Sequence, residues 1–279
     1  METACANGFL AARKAAHAAI AVVIPTLDEA ASIADVVRRI PRELVSRVIV
    51  ADGGSQDATV ARASEAGAEI VAAGRGYGRA CLAGARAAAD CEIVVFMDGD
   101  GADDASAIAH LVEPILAGER DFVIGSRARG HRAPGSIAWH QLAAGRLAGF
   151  AIRLLYGVRY TDMSAFRAIR REVLLGLGMR ELTYGWNIEM QMRAAAARLR
   201  ILEIPVDYYC RTGGSSKVAG SLLGSIKAAA RRFTLRCKGS SAGRRRRRDS
   251  TKSGSPQATI PLRTSWAFVP SKQAGRRSC

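Results

Sequence analysis

The chain has 279 residues, 49% of them hydrophobic and 24% charged, with a formal net charge of +16. Those proportions exclude a wholly disordered polymer and a membrane bundle, and every apolar run is interrupted by charge well short of the roughly 18 residues that a bilayer span needs. The charge is unevenly placed: residues 237–279 carry eleven Lys or Arg against one acid, Asp249, so +10 of the +16 lies there.

Residues 1–18 read as a loose leader, because Arg13, Lys14 and His17 break its apolar run before a strand pattern begins. From residue 19 to residue 126, short β-branched runs at 20–25, 47–51, 68–73, 92–98 and 121–126 predict strands. Between them, segments 29–40, 56–67, 78–90 and 104–118 have helical spacing. Continuous apolar strands separated by helices predict an α/β fold with a mostly parallel sheet covered on both faces. Ligands of such sheets sit at the carboxyl ends of the strands. Beyond residue 130 the alternation stops. A helix is expected over Ser136–Tyr156, with Arg146 and Arg153 among large apolar residues, and another over 187–199. Two short strands follow, RILEIPV (200–206) and DYYCR (207–211). Ser221–Arg236 is an amphipathic basic helix suited either to an anionic bilayer or to packing on the core. After Cys237 the composition turns to Gly, Ser and Arg without apolar period, which predicts disorder. Six cysteines without paired spacing argue against a zinc site or a disulfide framework and for a reducing compartment.

Chemistry gathers where the strands end. Asp98-Gly99-Asp100 closes an apolar strand; residues i and i+2 of extended chain point the same way, so both carboxylates can face one ligand. Two hard oxygen donors suit Mg2+ or Mn2+ completed by phosphates and water, while a turn with Asp104 capping the next helix explains the same residues without a metal. Asp52-Gly53-Gly54-Ser55 ends a second strand, where Asp52 can accept hydrogen bonds from a base or ribose, or serve a plain turn. Gly74-Arg75-Gly76-Tyr77-Gly78 can cradle a phosphate, but it is neither a dinucleotide fingerprint nor a P-loop. Arg211 to Lys217 forms a cationic loop with hydroxyls and open amides, fitted to a diphosphate or simply solvated. Glu189 lies among apolar and aromatic residues, where an unpaired carboxylate is costly. Asp162 and Arg167 make a charged pair in apolar company, with a structural salt bridge as the competing explanation.

Taken in order, VVIPTLDEA, VIVADGGSQDAT, GRGYGRACLAGARAA, VVFMDGDGADD, FVIGSR, TDMSAFRAIRRE, YGWNIEM, ILEIPVDYYCR and GGSSK resemble the family 2 glycosyltransferases of GT-A fold. Among these the chain is most similar to the bacterial polyprenyl-phosphate and dolichyl-phosphate sugar synthases, over residues 19–236. The resemblance implies that Pro25, Glu29 and Asp52 hold the nucleoside of a UDP- or GDP-sugar, with Gly76 beside the donor. It implies that Asp98 and Asp100 bind ribose and a divalent metal, Mg2+ or Mn2+. Arg127 then lies near the phosphates, Arg211, Ser216 and Lys217 close over the diphosphate, and Asp162 and Glu189 serve the acceptor side. The acceptor implied is a lipid phosphate, reached peripherally from the cytoplasmic face of the plasma membrane, by a chain that can be a homo-oligomer. Ala102 stands where many relatives have Gln, which leaves the metal shell open to Asp103 or water, and DGGS replaces the common DDGS.

Two other classes compete. A sugar-phosphate nucleotidyltransferase also has a parallel sheet and metal carboxylates, and Arg244–Arg248 could bind nucleic acid without sequence specificity. The arginine run falls outside the fold, so no specific nucleic acid is expected.

Overall fold

The computed structural model describes residues 18–137 and 139–212. Seven strands form one sheet: β1 (Ile20–Thr26), β2 (Arg47–Asp52), β3 (Glu69–Ala72), β4 (Ile93–Phe96), β5 (Phe122–Ser126), β6 (Arg167–Arg170) and β7 (Ile201–Pro205). They stand in the order β3-β2-β1-β4-β6-β5-β7. Pairings are parallel except those of β6, which runs antiparallel to both β4 and β5. Passing through β6 twice reverses direction twice, so β5 again runs the same way as β4.

β1 is buried at every residue, and its side chains divide between two cores as strand alternation requires. Ala21 and Val23 join Ile49, Phe96 and Trp186 on one face; Ile20, Val22 and Ile24 join Ile33, Ile108 and Leu111 on the other. Helices supply the outer layers. α1 (Ile33–Arg39) and α4 (Ile108–Leu116) bury stripes at helical spacing, Ile33, Val36 and Val37 in one and Ile108, Leu111, Val112 and Ile115 in the other. α3 (Tyr77–Ala87) and α7 (Trp186–Ala196) cover the opposite face. α2 (Thr59–Glu65), α5 (Trp139–Tyr156) and the short α6 (Arg171–Gly176) complete the described helices.

The mostly parallel sheet is the expected one; two local expectations need correction, and one strand was not foreseen. Residues 207–211 do not form a strand; Tyr208 makes only isolated bridges with Asp103 and Arg132. The segment RAIR, which carries no apolar run, is the buried strand β6. Asp162 pairs with Arg127 rather than with Arg167, whose fully buried guanidinium donates to the Asn187 carbonyl and lies over the Phe122 ring. The leader up to residue 17, the loop from Gly213 to Lys217, the basic helix at 221–236 and the tail beyond 237 fall outside the described residues. Among the described residues no helix is long and apolar enough to cross a membrane.

Candidate functional site

The register places chemistry at one edge. Thr26 pairs with Asp52 and Val23 with Phe96, so the segments after β1, β2 and β4 leave the sheet side by side. The chain order reverses between β1 and β4, the switch point at which open α/β sheets bind ligands. A cavity of about 570 Å³ opens there, lined by Pro25 to Glu29, Gly53, Arg75 to Tyr77, Asp98 to Asp100, Thr183, Tyr184 and Arg211.

Asp98 and Asp100 both reach this cavity. Burial, and then the charge of Asp100, push the Asp98 carboxyl up to about 6, against the pull of Arg127 and Arg211. Its backbone N–H donates to Asp103, and the Tyr77 hydroxyl donates to its side chain at 3.3 Å. Burial beside Asp98 likewise pushes Asp103 up to about 8. Asp100 accepts from the Ala102 N–H through Oδ1, while its Oδ2 lies 3.1 Å from Arg211 Nε. Two crowded carboxylates on a cavity, one answered by a guanidinium, are a donor set for a small divalent cation. Among the described residues no group of three or more His, Cys, Asp or Glu is placed to hold a metal ion, so the protein would offer two oxygens and leave the rest to phosphates and water. The residues therefore fit the metal that the sequence implies.

The glycine-rich segment is placed by α3. Gly76 has φ 132°, and a side chain there would meet the Leu182 carbonyl at 2.5 Å. A Cβ on Gly78 would stand 2.4 Å from the Glu181 carbonyl. The N–H groups of Gly78 and Arg79 donate to the carbonyls of Thr183 and Leu182. The amides of Gly78 and Arg79 are thus engaged by protein and not offered to a phosphate, while Gly76 lines the cavity.

Other sequence candidates separate. Pro25, Glu29, Gly76, Asp98, Asp100 and Arg211 come together on the cavity. Asp52 does not line it: its carboxylate accepts from the N–H groups of Gly54 and Ser55 and from the Ser55 hydroxyl, and so holds its own turn. Asp162 and Arg127 form a bidentate pair behind the site, Nε to Oδ2 at 2.8 Å and Nη2 to Oδ1 at 2.9 Å. Burial would raise Asp162, but the Arg127 hydrogen bonds and charge and the backbone donors hold it below the usual carboxylate range. Arg127 also lies 5.0 Å over the Tyr208 ring.

Glu189 is not the unpaired carboxylate its apolar sequence suggests. It bonds Arg193 one turn along α7 at 2.8 Å and accepts from the N–H groups of Arg180 and Glu181. Through that grip it fixes the 180–184 segment, whose Thr183 and Tyr184 line the cavity. Ser216 and Lys217 lie outside the described residues. Arg75 and Tyr77 line the cavity from within the glycine-rich segment, whereas Thr183 and Tyr184 were not singled out in the sequence, where only a polar-aromatic step before a helix marks them. Tyr77 and Tyr184 stack at 6.3 Å and wall one side.

Comparison with known proteins agrees with this geometry. The family model for glycosyl transferase family 2 matches residues 21–178. An uncharacterised glycosyltransferase of Mycobacterium tuberculosis is 38% identical over 211 residues, covering 75% of this chain and 93% of that protein. The polyprenol monophosphomannose synthase of Mycolicibacterium smegmatis is 30% identical over 215 residues, covering 72% and 81%. Among solved structures, glucosyl-3-phosphoglycerate synthase of Mycobacterium tuberculosis, in complex with Mn2+, UDP-glucose and phosphoglyceric acid, superposes with a TM-score of 0.65 at 25% identity, covering 79% of this chain and 81% of that one. The cavity at the switch point thus belongs to a transferase, and the chain is a member of glycosyl transferase family 2 with the GT-A fold.

Proposed function

We propose that the enzyme transfers a sugar from a nucleoside-diphosphate sugar to a polyprenyl phosphate, with inversion and with Mg2+ or Mn2+ bound at Asp98 and Asp100. The observation that carries this reading is the meeting of Asp98, Asp100 and Arg211 on one cavity at the sheet's switch point. The solved neighbour's complex with Mn2+ and UDP-glucose, and the polyprenol in the name of the Mycolicibacterium relative, support it.

In this reading Pro25, Glu29 and Gly53 border the nucleoside, and Tyr77 and Tyr184 wall the donor. When bound, the metal neutralises the diphosphate as negative charge develops on it. Arg211 leaves Asp100 and, with Arg75, donates to the departing diphosphate, where fixed cations stabilise the transition state most. The bond from the anomeric carbon to the diphosphate oxygen breaks, and an acceptor phosphate oxygen bonds the opposite face of that carbon. A phosphate monoester is already ionised near neutral pH, so the acceptor needs no strong general base. Asp162 and Glu189 then act by position: Asp162 holds Arg127, and Glu189 holds the 180–184 segment. Ser216 and Lys217, outside the described residues, are assigned to the diphosphate by the resemblance alone. A lipid acceptor also brings the enzyme to the cytoplasmic face of a membrane.

The test is transfer by purified protein from a panel of UDP- and GDP-sugars to polyprenyl phosphate, with Mg2+, Mn2+ or chelator. Metal-dependent product is expected, lost in Asp100→Ala with the fold intact by circular dichroism. Transfer to phosphoglycerate but not to polyprenyl phosphate would replace the acceptor, and wild-type rates from Asp100→Ala would remove the metal assignment.

A further inference from the structure

α5 has an outer face unlike the rest of the described surface. Among the described residues six large hydrophobic side chains stand exposed, and four belong to it: Leu147, Phe150, Leu154 and Leu155, between 55% and 71% accessible. Leu147, Phe150 and Leu154 follow helical spacing, so they form one stripe. Arg146 and Arg153, both exposed, flank it. The opposite face, with Ala148 and Ile152, is buried in the core. An exposed apolar stripe of this kind marks an interaction surface.

Its charge selects the occupant. The helix sequence WHQLAAGRLAGFAIRLLY contains no Asp or Glu. A second copy docked symmetrically would set arginines against arginines with no acid on the helix to answer them. The chain's own segment 221–236 is also basic, with Lys227, Arg231, Arg232 and Arg236. Apolar side chains flanked by cations match the interface of an anionic bilayer, where the stripe enters the acyl boundary and the guanidinium groups meet phosphates. Placement agrees. The chain leaves β5 at Ser126 and Arg127 and returns at Thr161 and Asp162, where Ser126 Oγ meets Thr161 Oγ1 at 2.7 Å and Arg127 clamps Asp162. Both feet of the excursion that carries α5 therefore stand at the carboxyl end of β5, the sheet edge that also holds the cavity.

We infer that the outer face of α5 is the enzyme's docking surface for an anionic lipid bilayer. The inference extends the reading of a lipid acceptor by naming the element that meets the membrane, and its test is independent of that acceptor. Hydrogen exchange of the full chain is followed by mass spectrometry with vesicles of phosphatidylcholine, alone or mixed with phosphatidylglycerol, and without polyprenyl phosphate. About 0.5 M salt shortens the Debye length to about 4 Å and mutes the basic tail. The amides of residues 146–157 should slow on mixed vesicles. Phe150→Glu/Leu154→Glu, at two exposed positions, should abolish that protection and weaken vesicle partitioning roughly tenfold or more. Unchanged exchange in α5, or partitioning of the double variant equal to wild type, overturns the inference. So does a dimer in sedimentation that protects α5 without lipid and is dissolved by the double variant. Vesicle docking without transfer to polyprenyl phosphate would count against the acceptor alone.

Discussion

Replacing Asp162 by Asn keeps the shape of a buried side chain and removes its charge. Asp162 is 6% exposed and Arg127 20%, and four hydrogen bonds converge on the carboxylate: Arg127 N, Nε and Nη2, and Met163 N. Removing one partner of a buried pair leaves the other charge uncompensated, at about 3–5 kcal/mol. Arg127 keeps its Tyr208 ring contact and some solvent, which places the expected loss near the lower end, at about 3 kcal/mol. Burial acts to raise the Asp162 pKa, and Arg127 with the backbone donors more than reverses it, so the folded value lies below the unfolded value of about 3.9. A depressed carboxylate contributes stability that is complete above the unfolded pKa and is lost as pH falls through the folded one. Urea unfolding of wild type and Asp162→Asn should therefore differ by about 3 kcal/mol at pH 7, hold that gap down to about pH 5, and narrow below the unfolded pKa of about 3.9 as pH falls through the lower folded one. A gap below about 1 kcal/mol at pH 7, or one independent of pH, would refute the account of the pair as buried and charge-paired.

Three further substitutions probe the site. Arg211→Ala should slow transfer by about two orders of magnitude yet tighten Mn2+ binding without nucleotide, followed by electron paramagnetic resonance, because no guanidinium then competes for Asp100; weaker Mn2+ binding would contradict that competition. Gly78→Ala should cost about 1–3 kcal/mol and raise the donor KM, since its Cβ would press the Glu181 carbonyl at 2.4 Å and push Thr183 and Tyr184 off α3, whereas Gly145→Ala in α5, with nothing within 4 Å, should cost nothing in thermal denaturation. Glu189→Gln should raise KM several-fold with a smaller change in kcat, the mark of a residue that positions a cavity wall; a drop of about a thousandfold in kcat at constant KM would instead make it a base at the reacting atoms.

The parallel half of the sheet was legible because its strands are continuous β-branched runs, which can be buried on both faces only inside a helix-covered sheet. β6 was not, because Arg167-Ala168-Ile169-Arg170 shows no apolar run; what makes it a strand is its place between β4 and β5. That same place explains the mistaken ion pair. Asp162 precedes β6 and Arg127 follows β5, and the strands are antiparallel neighbours, so residues 35 apart in sequence meet where residues five apart do not. Sheet order, not local spacing, chose the partner.

The carboxylates sort by a more local competition. Asp52 is followed by Gly54 and Ser55, whose N–H groups lie within reach of its oxygens and hold the side chain in its own turn. Asp100 meets the same fate with one oxygen, given to Ala102, and keeps the other for Arg211. At Asp98 the competition runs the other way: among the described residues its side chain accepts the long Tyr77 contact of 3.3 Å, and burial together with the charge of Asp100 raises its pKa. Asp98, buried beside the charge of Asp100 and facing the cavity, is the carboxylate at which an added cation would gain the most.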